Sequence, residues 1–169
     1  MRKLGICAMA TMMMAAPALA AEKITVETSE KCSFTIALRP DLAPNHVAQI
    51  AKLAVAGFYN GIVFHRVIDG FMAQTGDPTG TGMGGSEEPN IKAEFSKEHF
   101  GRGTVGMARS SDPDSGNSQF FIMFADNGGL DGQYTVWGQV DETGMACVDK
   151  IAKGEPPATP DKMVKVTVQ

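Results

Sequence analysis

Few residues of this chain have the types and spacing that chemistry demands. None of the three histidines, His46, His65 and His99, has another ligand at i+3 or i+4 in a matching pattern, and zinc-type cysteine pairs and calcium-loop carboxylate spacing do not occur. No metal is expected. His65, beside Arg66, reads as a partly buried strand residue satisfied by local hydrogen bonds. Gly80-Thr81-Gly82-Met83-Gly84-Gly85 spells G-x-G-x-x-G, but Asp77-Pro78 precedes it and Ser86-Glu87-Glu88-Pro89 follows. A dinucleotide fingerprint needs a strand before and a helix after, so the segment reads as a flexible loop and no cofactor is expected. There is no G-x-S-x-G elbow, and neither Cys32 nor Cys147 stands in a thiol-activating motif. Covalent catalysis has no candidate. What remains is a concentration of large apolar groups beside hydrogen-bonding ones: Phe64-His65-Arg66, Gly70-Phe71-Met72-Ala73-Gln74, Gly106-Met107-Ala108-Arg109, Ser118-Gln119-Phe120-Phe121-Ile122, and Leu130-Asp131-Gly132 leading into Tyr134. Taken singly, each apolar residue is ordinary core, and Arg66 is one end of a surface ion pair.

The elements that must carry these residues are mostly strands. Ile24 and Val26 alternate with polar residues, as do Phe34, Ile36 and Leu38, and Val164, Val166 and Val168. Period-two alternation predicts strands with one face on a core. Further strand-like runs are Ile62–Val67, Thr104–Ala108, Gln119–Phe124 and Tyr134–Val140. Such runs occupy both termini and the middle, which favours a closed sheet without exposed edges. Two segments read as helices. Pro44–Ala56 repeats Val47, Ile50, Ala51 and Ala54 at spacings of three and four, with Pro44 in the first turn and Gly57 at the stop. Met145–Ala152 lies between Gly144 and Gly154, with Val148 and Ile151 as its inner side. Gly154–Asp161 holds Pro156, Pro157 and Pro160 and reads as a rigid connection.

Composition bounds the rest. The 169 residues are 43% hydrophobic and 20% charged, an ordinary globular balance for a single domain. Residues 1–20 read as a secretory signal peptide: Arg2 and Lys3, an uncharged run from Leu4 to Ala16, then Pro17 and Ala18-Leu19-Ala20. The run is too short to span a bilayer, so residues 21–169 form the expected mature domain, soluble and exported to the periplasm, or secreted. Lys and Arg number 15 against 19 Asp and Glu; losing Arg2 and Lys3 leaves 13, a net charge of −6. An acidic chain argues against nucleic acid as partner. Cys7 leaves with the leader. Cys32 and Cys147 could form a disulfide closing a loop of more than a hundred residues, or stand as two small hydrophobes.

Taken together, the chemistry-bearing stretches point to a family. From about Ile24 to Val168 the sequence resembles the cyclophilin-type peptidyl-prolyl isomerases, of the bacterial exported type. The resemblance runs through Phe58-Tyr59-Asn60-Gly61, Phe64 to Ile68, Gly70 to Asp77, Gly80-Thr81-Gly82, Gly103 to Ala108, Ser118 to Ile122 and Leu130-Asp131-Gly132, in the family's order and spacing. It implies a mainly β fold, a closed eight-stranded antiparallel barrel capped by two α-helices. It implies accelerated rotation about X-Pro bonds in unfolded or folding exported proteins, acting as a monomer. Arg66 would be the catalytic guanidinium. Phe71, Met72, Phe121 and Leu130 would form the proline pocket, and Tyr134 would wall it. Gln74 would hold Arg66 and the substrate backbone, Gln119 would line the groove, and Ala108 and Arg109 would face the residues before proline. The chain departs from many eukaryotic members at Arg109 (their Asn), Gly129 (their Trp) and Tyr134 (their His). The missing indole implies weak binding of cyclosporin. Two other readings stay open: a module that holds Pro-containing segments without turning them, which would not need Arg66, and a carrier of small apolar ligands, which would need a continuous apolar lumen.

Overall fold

A computed structural model describes residues 22–169. The expected leader, Cys7 and its cleavage site lie outside the described residues. No helix among the described residues is long and apolar enough to cross a membrane. In chain order the elements are β1 (Lys23–Thr28), β2 (Ser33–Leu38), α1 (Pro44–Val55), β3 (Arg66–Ile68), β4 (Met72–Thr75), β5 (Thr104–Met107), β6 (Phe120–Met123), β7 (Val136–Val140), α2 (Glu142–Val148) and β8 (Met163–Val168). The eight strands form one antiparallel sheet in the order β3-β4-β6-β5-β7-β2-β1-β8.

The expected closure does not occur. Among the described residues no ladder joins β3 to β8, and the sheet is an open half-barrel. The cause is local. β3 is three residues long, and the segment beside it carries Pro156, Pro157 and Pro160, which have no N–H to donate. That segment touches β3 through one pair of backbone bonds, Val67 N to Gly154 O and Gly154 N to Val67 O, both 2.8 Å. Below it a loose seam remains: Phe64 N donates to Asp161 O at 2.8 Å and Met163 N to Ile62 O at 2.9 Å.

Both faces of the central strands are covered. On the inner face Phe34, Ile36, Val105, Phe120, Ile122, Trp137 and the helices' apolar sides form the main core. On the outer face Met72, Phe100, Phe121, Met123 and Val136 form a second cluster. Two-sided burial explains why β5 and β6 are buried at every position and why alternation vanishes there. It also hid β4, a strand the alternation pattern does not predict. The inner space retains a void of about 10 Å³, too small for a ligand. Among the described residues this space is not the continuous lumen that a small-ligand carrier needs.

The helices follow the predicted segments with one shift. α1 buries His46, Val47, Ile50, Leu53 and Ala54, and Gly57 stops it at φ +73°. Its N-cap residue, Ala43, has no side-chain acceptor for the first-turn amides. Glu94 does that work from a distant loop, accepting from the backbone N–H groups of Asn45 (3.1 Å) and His46 (3.0 Å) and from His46 Nδ1 at 2.6 Å. α2 begins three residues before the predicted start and ends four before the predicted end, so Ile151, expected on its inner side, is buried beyond the helix. Asp141 is its N-cap, accepting from Gly144 N, so Gly144 lies inside the helix. A Cβ there would stand 2.7 Å from Val140 Cγ1, so this glycine lets α2 pack tightly on the strands and marks no boundary.

Candidate functional site

The register of the sheet brings the chemistry-bearing residues into one row. Across β3, β4, β6, β5 and β7, Arg66 pairs with Gln74, Gln74 with Phe121, Phe121 with Gly106 and Gly106 with Val136. All face the outer side. Gly106 is needed there: a Cβ would come within 2.5 Å of the Phe121 ring and 2.7 Å of the Phe100 ring. Without it the two rings, 5.8 Å apart and stacked, could not lie on the sheet.

Beside this row lies a cavity of about 130 Å³ lined by Arg66, Phe71, Met72, Gln74, Ala108, Arg109, Phe121, Leu130 and Tyr134. Nine of the ten predicted site residues therefore meet at one hollow. Gln119, the tenth, stands one step away, lining a broader groove of about 480 Å³ that shares Gln74, Ala108 and Arg109 with the hollow. Met72 and Phe121 are buried and make its floor; Phe71, Leu130 and Tyr134 are half-buried around the rim. Tyr134 meets Phe121 edge-on at 5.6 Å. Such a hollow suits a single apolar side chain and is well below the size of sites for larger ligands.

Polar groups converge from one side. Arg66 Nη1 donates to Gln74 Oε1 at 3.4 Å, Gln74 Nε2 to Gln119 Oε1 at 3.0 Å, and Gln119 Nε2 to the carbonyls of Gly82 (3.0 Å) and Gly84 (2.7 Å). Arg66 Nε donates to Glu155 Oε1 at 2.7 Å. Nη2 donates to none of the described residues. The surface ion pair anticipated for Arg66 thus exists, and the same guanidinium still lines the hollow. Arg109 is spent differently. Its guanidinium lies 4.6 Å over the Tyr134 ring and donates to Gln133 O and Ser110 O, so the side chain props the wall.

The glycine-rich loop is no phosphate cradle, because its amides already hold an anion. Asp77 accepts from the backbone N–H of Thr79 (2.8 Å), Thr81 (3.1 Å), Gly82 (2.6 Å) and Gly84 (3.1 Å). Burial pushes this carboxyl up, but the Thr79 hydroxyl and the amides of Thr79, Gly84 and Gly82 outweigh it and bring it down to about 2. Gly82, at φ +83°, adopts the backbone that turns its amide to Asp77 while its carbonyl faces Gln119. The loop is thus tied to the row through Gln119. His65 corrects its expectation: it precedes β3 and is 6% exposed. Neither ring nitrogen meets a partner among the described residues. Burial lowers its pKa, with Asp77 opposing and Arg66 assisting, so the ring is neutral beside the guanidinium.

Three contributors had no role legible in the sequence. Phe100 stacks on Phe121 from a segment without periodicity. Asp131 accepts from Phe100 N at 2.8 Å and pairs with His99 Nδ1 at 2.7 Å, while His99 Nε2 meets Asp126. Those two carboxylates push His99 up to about 9. Glu155 lies in the proline-rich connection. Among the described residues, no three His, Cys, Asp or Glu side chains gather to hold a metal ion.

Comparison with known proteins places the whole described chain. The family model "Cyclophilin type peptidyl-prolyl cis-trans isomerase/CLD" matches residues 23–168. A relative from Brucella suis, "Probable peptidyl-prolyl cis-trans isomerase", is 57% identical over 148 residues, covering 78% of this chain and 75% of its own. The crystal structure of cyclophilin AquaCyp293 from Hirschia baltica superposes with a TM-score of 0.79 at 30% identity, over 88% of this chain and 74% of that one. A Cryptosporidium parvum cyclophilin-type isomerase, solved in the presence of the dipeptide Ala-Pro, superposes at 0.78 and 25% identity, over 87% and 98%.

Proposed function

The chain belongs to the cyclophilin-type peptidyl-prolyl cis-trans isomerases, and from that premise we propose that Arg66 turns X-Pro bonds by stabilising the twisted amide in the adjoining hollow. Amide resonance sets a barrier of roughly 18–20 kcal/mol to this rotation, and uncatalysed exchange takes on the order of 10–100 s. No bond need break. Whatever binds the twisted amide better than the planar one accelerates the turn. On twisting, the proline nitrogen becomes pyramidal and gains a lone pair to which a guanidinium can donate. Reaching millisecond exchange needs about 5–7 kcal/mol of differential stabilisation. One charge-assisted hydrogen bond supplies about 1.5–3 kcal/mol. The rest comes from the apolar walls, Phe71, Met72, Phe121, Leu130 and Tyr134, which hold the proline ring and exclude water while the preceding carbonyl swings.

One observation carries the reading: a guanidinium on the wall of a hollow otherwise lined by apolar groups and Gln74. Ala108 and Arg109 form the edge between hollow and groove and would receive the backbone before proline, with Gln74 and Gln119 as its polar partners. The substrates are proline-containing segments of exported proteins, turned over by a monomer in the periplasm. The leader-like residues 1–20 and the Cys32–Cys147 disulfide support that compartment. Cyclosporin should bind weakly, since Gly129 offers no indole donor.

The test is the cis/trans exchange rate of an X-Pro peptide with the mature chain and with Arg66→Ala. Loss of one charge-assisted bond predicts a fall in kcat/KM of about ten- to a hundredfold or more. A module that only holds such segments predicts no acceleration by either protein, and acceleration left intact in Arg66→Ala would sink the assignment of Arg66.

A further inference from the structure

We propose that Glu155 is a positioning residue for Arg66, fixing the guanidinium plane so that its Nη groups serve the hollow. The proposal rests on the role given to Arg66 above and adds to it a partner from the far end of the chain. Its basis is register. Val67 and Gly154 form an antiparallel bridge with two backbone bonds of 2.8 Å. In an antiparallel pair the neighbours on either side also face each other, which sets Arg66 opposite Glu155. The 2.7 Å contact from Nε to Oε1 follows from that placement.

The carboxylate stands on a firm base. Pro156 and Pro157 follow it, and Pro157 is buried. Gly154 has φ +148°, and a Cβ there would come within 2.5 Å of Pro157 Cα, so the chain passes too tightly for any other residue. The Gln74 contact at 3.4 Å is long and cannot by itself hold a side chain with so many rotamers. Donation at Nε is the stronger constraint. A planar guanidinium held at Nε has its Nη groups aimed by the same bond, because the fork is rigid. Arg66 and Glu155 side chains are 42% and 52% exposed, so the pair adds little to folding stability. Its effect lies in orientation.

The experiment joins two readouts on the whole mature chain: X-Pro peptide exchange resolved into kcat and KM, and the Nε–H correlation of Arg66 in ¹⁵N-arginine-labelled protein, identified by its loss in Arg66→Ala. Glu155→Ala should lower kcat about three- to tenfold. KM should stay nearly constant, and the Nε–H signal should be lost to fast solvent exchange. Glu155→Gln, whose amide oxygen can still accept from Nε, should keep the signal and most of kcat. The proposal is overturned if Glu155→Ala leaves kcat and the signal intact, if it raises kcat (a restraining contact), or if KM and the unfolding midpoint move with kcat. Arg66→Ala separates the two claims: should it isomerise like the parent, the catalytic reading fails, whereas an inactive Arg66→Ala beside a normal Glu155→Ala overturns positioning alone.

Discussion

Asp77 organises, through one carboxylate, the loop that adjoins the hollow. It accepts four backbone N–H groups of its own loop, and that loop presents the Gly82 and Gly84 carbonyls to Gln119. The linkage has a definite sign. A carboxyl held at about 2 against an ordinary 3.8 adds stability that is complete above pH 3.8 and disappears as pH falls through 2. Its size is about 2 kcal/mol at neutral pH. Asp77→Asn should therefore lower the neutral-pH urea midpoint and flatten the pH dependence of stability between pH 4 and 2. It should also reduce isomerisation, since Gln119 loses the loop that orients it. Acid titration of both proteins by circular dichroism checks the first two effects; identical acid profiles would refute the assignment. At this scale the sequence was informative where a side chain's role depends on its own strand. Arg66, Met72, Gln74 and Phe121 could be named together because the family's motifs span them. Phe100, Asp131 and Glu155 could not be given roles, because each acts through a partner 21 to 89 positions away and no local pattern encodes that pairing.

At the scale of elements, α1 is the one whose start depends on a borrowed cap. Ala43 offers nothing, so the Glu94 carboxylate closes the helix against the Asn45 and His46 amides and the His46 ring. Burial lowers the His46 pKa despite Glu94 beside it. For Glu94 burial works upward, but the His46 side chain and the His46 and Asn45 amides prevail and lower it. At neutral pH the pair is thus a neutral imidazole donating to a carboxylate. Both shifts have the same sign: the His46 contribution is present above 6.5 and lost as pH falls below it, and the Glu94 contribution is lost below 4.5. Glu94→Ala should cost about 2–3 kcal/mol in urea unfolding. It removes the Glu94 loss below 4.5 but leaves His46 burial unopposed, so the loss of stability as pH falls below 6.5 should deepen. Amide exchange in the first turn of α1 should accelerate most. Equal protection there in both proteins would refute the cap. Element type was readable wherever one face met water, as in β1, β2 and β8, although Val164 of β8, expected on the core face, is exposed. It failed at β4, where Met72 and Ala73 face two different apolar clusters and polarity cannot alternate. At α2, Gly144 reads as an end in the sequence because its packing role depends on Phe34 and Val140.

For the whole molecule, an open sheet has to be held by something other than a closed ladder. The seam between β3 and β8 has a few backbone bonds, and three prolines beside β3 forbid more. Closure depends on the length of β3 and on what lies beside it, so alternation at both termini could not reveal it. The disulfide supplies a second constraint. Cys32, in the turn after β1, joins Cys147 of α2 across 115 positions, with Cα atoms 5.8 Å apart. It ties the β1–β2 hairpin to the helix that packs on β2, and the bonded sulfurs lie with the inner core. The outer cluster carries the hollow, and no cysteine is part of it. Closing so long a loop restricts the unfolded chain by about 4–5 kcal/mol in the chain-entropy treatment, a large share of the 5–15 kcal/mol typical of a domain. Reduction, or the pair Cys32→Ser and Cys147→Ser, should lower the free energy of urea unfolding by an amount of that order, and the midpoint with it, while kcat and KM at 25 °C stay close to those of the oxidised protein. Equal midpoints with and without reductant would mean that the link adds nothing to folding. A fall in kcat without a loss of folded protein would mean that α2 and the outer face of the sheet are coupled, so that the two clusters do not act independently.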